Sequence, residues 1–391
     1  MKIHKYIFNL ILLTIIAVAI QDIYIDRFSP NRYYVQWTQL IVVVFGFSSL
    51  LSFFSYKSNF QESYFKWYLL FLSMLFFYAI SSPYFFEIFP QILFTLLPAF
   101  TFYQIEKAGS NVEKKVQYFS IIVLFLSLYQ LYLGFLERTI LYGAFFKQAD
   151  NTGYTLLGIM IVISLLKNSN FNIALISIAF LGALLSLKRG AMITSSVFYS
   201  FYIIGNINYF KEKKTIFNIL LGLGFVSVII FFIMTYYDFF AYRFMNDPYG
   251  SGRSMFYQAV FDGWQQSPLL NKVFGNGFFS VFDYLDSAMG IPIYAHSDWL
   301  EILYDHGLLG VMIFLGLLIS LFNKRYDVKK YMPDYYLTFW GLLIVLFIKS
   351  LISGTYMTKF DIYTYSVIGY IFGYIQYQKN ILPQYEYKEL V

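Results

Sequence analysis

The chain has 391 residues, of which 59% are hydrophobic and only 13% are charged. A soluble domain carries about 25% charged residues, so a soluble globular protein is excluded, and the same composition excludes a disordered chain. The absence of cysteine excludes disulfides and thiolate metal sites, and a net charge of +6 in so apolar a chain indicates membrane topology rather than nucleic-acid binding.

Apolar segments recur along the whole chain, and each membrane crossing needs about 20 apolar residues. The pattern predicts an all-α polytopic membrane protein, with about 12 transmembrane helices in one integral membrane domain over residues 1–391. The predicted spans are 6–20, 34–55, 67–82, 86–105, 116–136, 153–167, 171–187, 191–209, 215–237, 299–322, 335–352 and 361–377. The first segment also resembles a signal peptide ending at Ala17-Val18-Ala19, but the spans that follow favour a transmembrane helix.

The distribution of positive charge sets the predicted orientation. A cytoplasmic N-terminus places 17 of the 28 Lys and Arg residues inside, as the positive-inside rule requires. An even number of spans then puts both termini in the cytoplasm. Residues 238–298 become one large extracytoplasmic loop.

Arginine is distributed differently from lysine. Sixteen of 21 Lys residues are predicted inside, whereas six of seven Arg residues are predicted outside. These six are Arg27, Arg32, Arg138, Arg189, Arg243 and Arg253. Guanidinium binds phosphate through a planar fork that lysine lacks, so the asymmetry predicts a phosphate-bearing ligand at the outer face. The alternative is arginines that contact lipid headgroups.

The long loop contains an amphipathic pattern from Met255 to Trp264. Its apolar residues have helical spacing, which predicts a helix lying on the membrane with Ser254 as its N-cap. Arg253 then lies at a helix N-terminus, where an anion is favoured, although an arginine reaching lipid headgroups is the alternative. The glycines of 274–277 indicate a turn rather than a phosphate cradle.

The loop ends at His296, immediately before the predicted N-cap Ser297 of the tenth span. The positive end of a helix disfavours the imidazolium, so a neutral His296 can accept a proton. The alternative is a histidine that anchors the loop by a hydrogen bond. His306 falls on another face of the same helix and is predicted to be structural.

Three acids, Asp298, Glu301 and Asp305, share one face of the tenth span. They are predicted to orient His296 or a sugar hydroxyl, or to pair with an outer arginine, and the alternative is a solvated face. Lys188 and Arg189 separate two apolar segments close to the hydrocarbon, where charges often mark sites. Lys349 is predicted to reach the membrane surface by its flexible stem.

Three segments together resemble the O-antigen ligase/polymerase superfamily. They are Ser186-Leu187-Lys188-Arg189-Gly190-Ala191, then Ser251-Gly252-Arg253 with Trp264, Pro268, Gly275 and Gly277 downstream, and last the run from His296 to Gly310. The motifs cover roughly 180–320. A histidine at position 306 is a departure from the family pattern, and the first 150 residues carry no recognisable motif.

The resemblance implies a glycosyltransferase of the cytoplasmic (inner) membrane that acts at the outer leaflet without metal, nucleotide sugar or other cofactor. Its implied partners are an undecaprenyl-diphosphate-linked glycan donor, a glycan acceptor, membrane lipids and a chain-length regulator protein. Arg189 and Arg253 match the diphosphate-binding arginines of the family, and His296 matches its catalytic histidine. Arg243 and Lys188 are added as binding residues, and Glu301 and Asp298 as catalytic ones.

Three functions compete. A repeat-unit polymerase for O-antigen, capsule or exopolysaccharide is favoured over a ligase that passes finished glycan to lipid A core, wall polymer or protein, although the motifs do not separate them. A transporter of lipid-linked sugars would show internal repeats and a midplane site. Here the polar residues gather in one outer loop, which favours chemistry at the surface.

Overall fold

The structure, a computed structural model, describes residues 2–24, 32–54, 62–110, 112–142, 151–167, 169–206 and 253–388. This part of the chain is helical and contains no strand, which confirms the all-α fold class. The helices are α1 (Lys2–Tyr24), α2 (Arg32–Phe54), α3 (Ser63–Ala79), α4 (Phe85–Leu96), α5 (Pro98–Lys107), α6 (Glu113–Tyr142), α7 (Thr152–Ile163), α8 (Asn170–Leu185), α9 (Arg189–Gly205), α10 (Arg253–Gln266), α11 (Leu269–Phe274), α12 (Ser280–Met289), α13 (Asp298–Asn323), α14 (Arg325–Tyr331), α15 (Tyr336–Ile352) and α16 (Ile362–Lys388).

Within the described residues, five segments are long and apolar enough to cross a membrane. They are His4–Ile23, Phe85–Lys107, Glu113–Leu136, Asp298–Tyr331 and Pro333–Ile352. The helices α3, α7, α8 and α9, which overlap further predicted spans, are shorter than a full crossing of about 20 residues. The predicted span 215–237 lies outside the described residues, as does the first part of the predicted loop 238–298. The count of twelve spans and the outer position of the loop therefore stay predictions.

The two ends of the helix bundle have different polar contacts. At one end, Lys324 forms an ion pair with Glu62, and Lys379 bridges Glu62 at 3.2 Å and Asp327 at 3.1 Å. All four residues belong to segments predicted inside. At the other end, segments predicted outside meet, because the Ser82 hydroxyl donates to the Phe278 carbonyl at 3.1 Å. Segments predicted on one side thus gather at one end of the bundle, as alternate crossings require.

The core between α5 and α16 depends on close backbone packing. Gly369 and Gly373 are four residues apart on α16, and a side chain at Gly369 would lie 2.0 Å from the Ala99 carbonyl oxygen of α5. Small residues at this spacing let helices approach closely where a membrane supplies no hydrophobic driving force. At the junction of α4 and α5, the buried Tyr68 hydroxyl donates to the Leu96 carbonyl at 2.8 Å.

The apolar face of α10 packs on protein. Phe256 and Val260 are buried together with Val281 and Leu285 of α12 and Tyr304 of α13. The helical spacing therefore predicted the buried face correctly, but this face does not lie on a membrane surface, which corrects that part of the prediction. The helix also begins at Arg253, so Ser254 lies inside its first turn instead of capping it.

Candidate active site

His296 lies in a short extended segment that leads into α13. Its backbone has a φ of 61°, a left-handed conformation that is uncommon for residues other than glycine. The Tyr257 hydroxyl, 3.2 Å from the His296 carbonyl oxygen, holds this backbone from α10. The imidazole is half-buried and its ring centroid lies 4.3 Å from that of Tyr294. Within the described residues, no group forms a hydrogen bond with the ring nitrogens of His296.

The surroundings of His296 favour its neutral form. Burial, followed by the positive charges of Arg253 and Lys188, lowers the pKa of His296 from 6.5 to about 4. Burial and nearby cations both penalise the imidazolium. Two residues from distant parts of the sequence, one at the start of α10 and one at the start of α9, therefore act on the same imidazole.

Arg253 is the first residue of α10, and a backbone contact holds its guanidinium. Its Nη1 donates to the Ile352 carbonyl at the end of α15, at 2.5 Å. One turn later, Tyr257 is 3.1 Å from the neighbouring Leu351 carbonyl. These contacts attach α10 to the carbonyl end of α15. No carboxylate of the described residues pairs with Arg253, and its guanidinium has further N–H donors besides the one that binds Ile352.

Lys188 and Arg189 stand at the start of α9. Lys188 is the N-cap residue, and Leu187 before it has a φ of 57°. Next to them, Gly190 packs against the Tyr154 hydroxyl, which accepts a hydrogen bond from Ser353 at 2.6 Å. The charge of Lys188 reaches His296. Arg189 shares the same helix start, and its predicted contact with a diphosphate stays a prediction.

Arg243 lies outside the described residues, so its predicted role also stays a prediction. The structure thus brings together three of the predicted residues: Arg253, Lys188 and His296.

The three acids of α13 are buried and bind loops instead of facing solvent. Asp298 accepts from the Thr355 N–H at 2.8 Å and the Thr355 hydroxyl at 2.6 Å. Glu301 accepts from the backbone N–H of Ala295. Carboxylates with backbone N–H donors are strongly held. Asp298 and Glu301 therefore fix the segments on either side of His296.

Asp305 does the same one turn further along α13. It accepts from the backbone N–H groups of Phe279 at 2.9 Å and Val281 at 3.0 Å, and from the Ser280 hydroxyl at 2.9 Å. It therefore caps the start of α12, whose first N–H groups have no partner within the helix. Among the residues that the structure describes, no group of three or more His, Cys, Asp or Glu side chains is arranged to hold a metal ion.

Residues 174–315 match a protein family described as O-antigen ligase. The resemblance to the O-antigen ligase/polymerase superfamily is confirmed. The comparison with curated proteins found no match. All of the predicted site residues fall within the matched region, which extends from α8 into α13. The match supports a membrane enzyme of the O-antigen ligase or polymerase type that resembles a glycosyltransferase.

The matched region 174–315 contains a kink in α13 at Gly307, where φ is 65° and ψ is −164°. The turn 275–277 inserts there, and the Asn276 N–H donates to the Tyr304 carbonyl at 2.9 Å. The predicted turn is therefore confirmed. His306, beside the kink, is fully buried with its ring centroid 4.6 Å from that of Tyr78, so it is a core residue, as predicted.

Replacing Gly275 with alanine is expected to destabilise this junction. A Cβ at Gly275 would lie 2.1 Å from the Asp305 carbonyl oxygen, and the residue has a φ of 87°. Gly290 is a matched control, because its φ is 68° but a Cβ there meets nothing within 4 Å. Gly290→Ala should cost only the conformational strain of about 1–2 kcal/mol. Thermal unfolding in detergent should rank Gly275→Ala clearly below Gly290→Ala, and equal losses would contradict the proposed packing.

The loop 353–361, beyond the O-antigen ligase region, was not predicted as part of the site. Its Thr355 binds Asp298, and its Ser353 binds Tyr154 beside the start of α9. Lys349 lies just before it and contacts both carboxylate oxygens of Asp361 at 2.6 Å, fully buried. The prediction that Lys349 reaches the membrane surface was therefore wrong. The polar run 353–355 between two apolar spans was the available signal.

Proposed function

We propose that this chain is a membrane glycosyltransferase that polymerises lipid-linked repeat units at the outer face of the cytoplasmic membrane. The donor is a glycan on undecaprenyl diphosphate, and the acceptor is a sugar hydroxyl of a second lipid-linked glycan. The observation that carries this proposal is the convergence of Arg253 and Lys188 on a half-buried His296 whose ring nitrogens bind no described residue. This arrangement provides cations for a diphosphate and a base for a hydroxyl.

The proposed reaction is a single displacement. The acceptor oxygen forms a bond to the anomeric carbon of the donor, and the bond from that carbon to the diphosphate oxygen breaks. The hydroxyl proton passes to His296, and the lipid diphosphate leaves with the bonding electrons. Arg253, with Lys188 and Arg189, stabilises the negative charge that develops on the leaving diphosphate.

In this proposal, the buried acids of α13 position His296. Glu301 accepts a hydrogen bond from the N–H of Ala295, next to His296, and Asp298 at the start of α13 accepts one from the N–H of Thr355, so we assign them the placement of the imidazole rather than proton transfer. Arg243 is proposed as a further diphosphate ligand from its position in the predicted loop. The chemistry uses no cofactor, because the donor diphosphate supplies the activation.

A ligase is the second candidate, and the description of the matched family favours it. Both reactions break the same donor bond and need the same base, so they differ only in the acceptor. Deletion of the gene in its host separates them. Loss of a polymerase should leave single lipid-linked repeat units and loss of a ligase should leave long lipid-linked chains, whereas unchanged glycan would contradict both. A chain-length regulator stays an expected partner of the polymerase.

The pH dependence of transfer is expected to reflect the lowered pKa of His296. With a pKa of about 4, the imidazole is neutral between about pH 5 and 8 and loses its base function only as the pH falls towards about 4. The acid limb of kcat/KM should therefore lie well below the ordinary histidine value. Donor binding adds negative charge beside Arg253 and Lys188, which raises the pKa of His296. The acid limb of kcat should therefore lie at a higher pH than the acid limb of kcat/KM.

A variant that removes one positive charge tests the assignment of His296 as the base. Lys188→Met removes a cation that lowers the pKa of His296, so the acid limb of kcat/KM should move to higher pH. Lys330→Met, which removes an exposed cation of α14, should leave the limb in place. A wild-type limb at the ordinary histidine value, or a limb that Lys188→Met does not move, would speak against His296 as the base.

A further inference from the structure

The short helix α11 exposes a row of large apolar side chains. Leu269 is 78% exposed, Leu270 is 71% exposed and Phe274 is 49% exposed. The helix follows Pro268 and carries Lys272 as its only charged residue. Exposed apolar patches of this kind mark contacts with a membrane or another protein. Phe256 and Val260 of α10 are buried, whereas α11 exposes its apolar side chains.

Its position in the bundle is fixed by two neighbouring helices. The Tyr78 hydroxyl, at the end of α3, donates to the Phe274 carbonyl at 2.5 Å. The turn that follows α11 binds the Tyr304 carbonyl of α13 through Asn276. A helix held at both of these points has a defined height along the bundle axis.

That height coincides with a membrane boundary. The ion network of Glu62, Lys324 and Lys379 marks one boundary of the hydrocarbon. From the kink at Gly307 to Lys324, α13 continues for about 17 residues, which at 1.5 Å per residue is about 25 Å. Along α3, Tyr78 lies about 16 residues from Glu62, which is about 24 Å before its side chain is added. The hydrocarbon core of a bilayer is about 30 Å thick, so α11 lies at the opposite boundary.

Large apolar side chains are also exposed on α3 and α4, the helices on either side of the corner next to Tyr78. Phe77 of α3 is 70% exposed and Phe86 of α4 is 86% exposed, and both flank the corner that binds α11. These side chains belong to helices predicted to cross the membrane, where lipid covers them.

We infer that α11 inserts Leu269, Leu270 and Phe274 among the acyl chains of the leaflet it faces. The height of the helix, its single charge and the exposed apolar side chains of α3 and α4 all match lipid as the occupant. The insertion links the leaflet to the site, because α11 directly follows the helix that carries Arg253. The insertion is independent of the reaction proposed above.

A depth measurement on the full chain tests this. The sequence contains no cysteine, so Leu270→Cys gives a unique position for a nitrobenzoxadiazole label, and the exposed Leu270 has little packing to lose. The matched control is Ala288→Cys, exposed on α12 beside Asp286. Both labelled proteins are placed in nanodiscs of phosphatidylethanolamine and phosphatidylglycerol. Lipids with a doxyl group near the headgroup quench labels in the leaflet, and iodide quenches labels in water.

The label at Leu270 should be quenched severalfold more by doxyl lipid than the label at Ala288, with the opposite order for iodide. Equal iodide quenching at both positions would place α11 in water and overturn the inference. Protection from both quenchers would place α11 against protein, such as a second copy of the chain, and would overturn it too. The result does not depend on transferase activity, so a failure of the proposed reaction remains distinguishable.

Discussion

Replacing His296 with alanine is expected to lower transfer from the lipid-linked donor by about 10²–10⁴-fold, the usual contribution of a positioned base. Donor affinity should change little, because Arg253 and Lys188 remain to hold the diphosphate. His296→Gln should fail to a similar degree, since glutamine can bind the acceptor hydroxyl but cannot take its proton. The measurement is transfer by the purified protein, with donor binding measured in parallel.

The second histidine of α13 provides the control. His306 is fully buried beside Tyr78 and away from the cations that act on His296. His306→Phe keeps an aromatic ring in that core position, so it should retain most of the transfer activity. Near-normal turnover of His296→Gln would show that His296 positions the acceptor, and Glu301 or Asp298 would then become the leading base.

Arg253→Lys is expected to be nearly as damaging as Arg253→Ala. The charge survives in the lysine variant, but the planar fork that binds two phosphate oxygens is lost. Charge-assisted hydrogen bonds are worth about 1.5–3 kcal/mol each, so kcat/KM should fall by about ten- to a hundredfold. The measurement is kcat/KM for the donor in both variants.

Two controls separate the loss of the two-pronged guanidinium contact from effects of charge and stability. Lys272→Met removes a cation from α11 in the same loop. It should leave kcat/KM unchanged if the diphosphate is bound by Arg253 itself rather than by the general positive charge of the loop. Thermal unfolding of Arg253→Lys reports whether α10 has detached from the Ile352 carbonyl. Full activity of Arg253→Lys would show that Arg253 contributes only its positive charge.

The sequence predicted the helices and the position of His296 before a helix because both depend on local pattern. Apolar stretches define spans through their length alone, and His296 stands immediately before the helix that its neighbours predict. Helical spacing likewise identified Phe256 and Val260 as one apolar face. The spacing could not say whether that face meets lipid or protein, because both are apolar.

The sequence pattern could not predict contacts between residues that are far apart in the chain. Asp298 and Thr355 are far apart in the chain, and only the fold brings the carboxylate to that loop. Periodicity placed Asp298, Glu301 and Asp305 on one helix face, but a face does not show whether its neighbours are water, substrate or backbone N–H groups. The buried pair of Lys349 and Asp361 was missed for the same reason, since each residue alone resembles a charge at a membrane boundary.

The most direct test of the account follows the leaving group. Purified protein in vesicles receives a single lipid-linked repeat unit as donor and acceptor, without nucleotide sugar, and both products are quantified. The account predicts a lengthened glycan and one undecaprenyl diphosphate released for each glycosidic bond, with neither product formed by His296→Gln. Glycan lengthening without release of the lipid diphosphate, or only after addition of a nucleotide sugar, would contradict it.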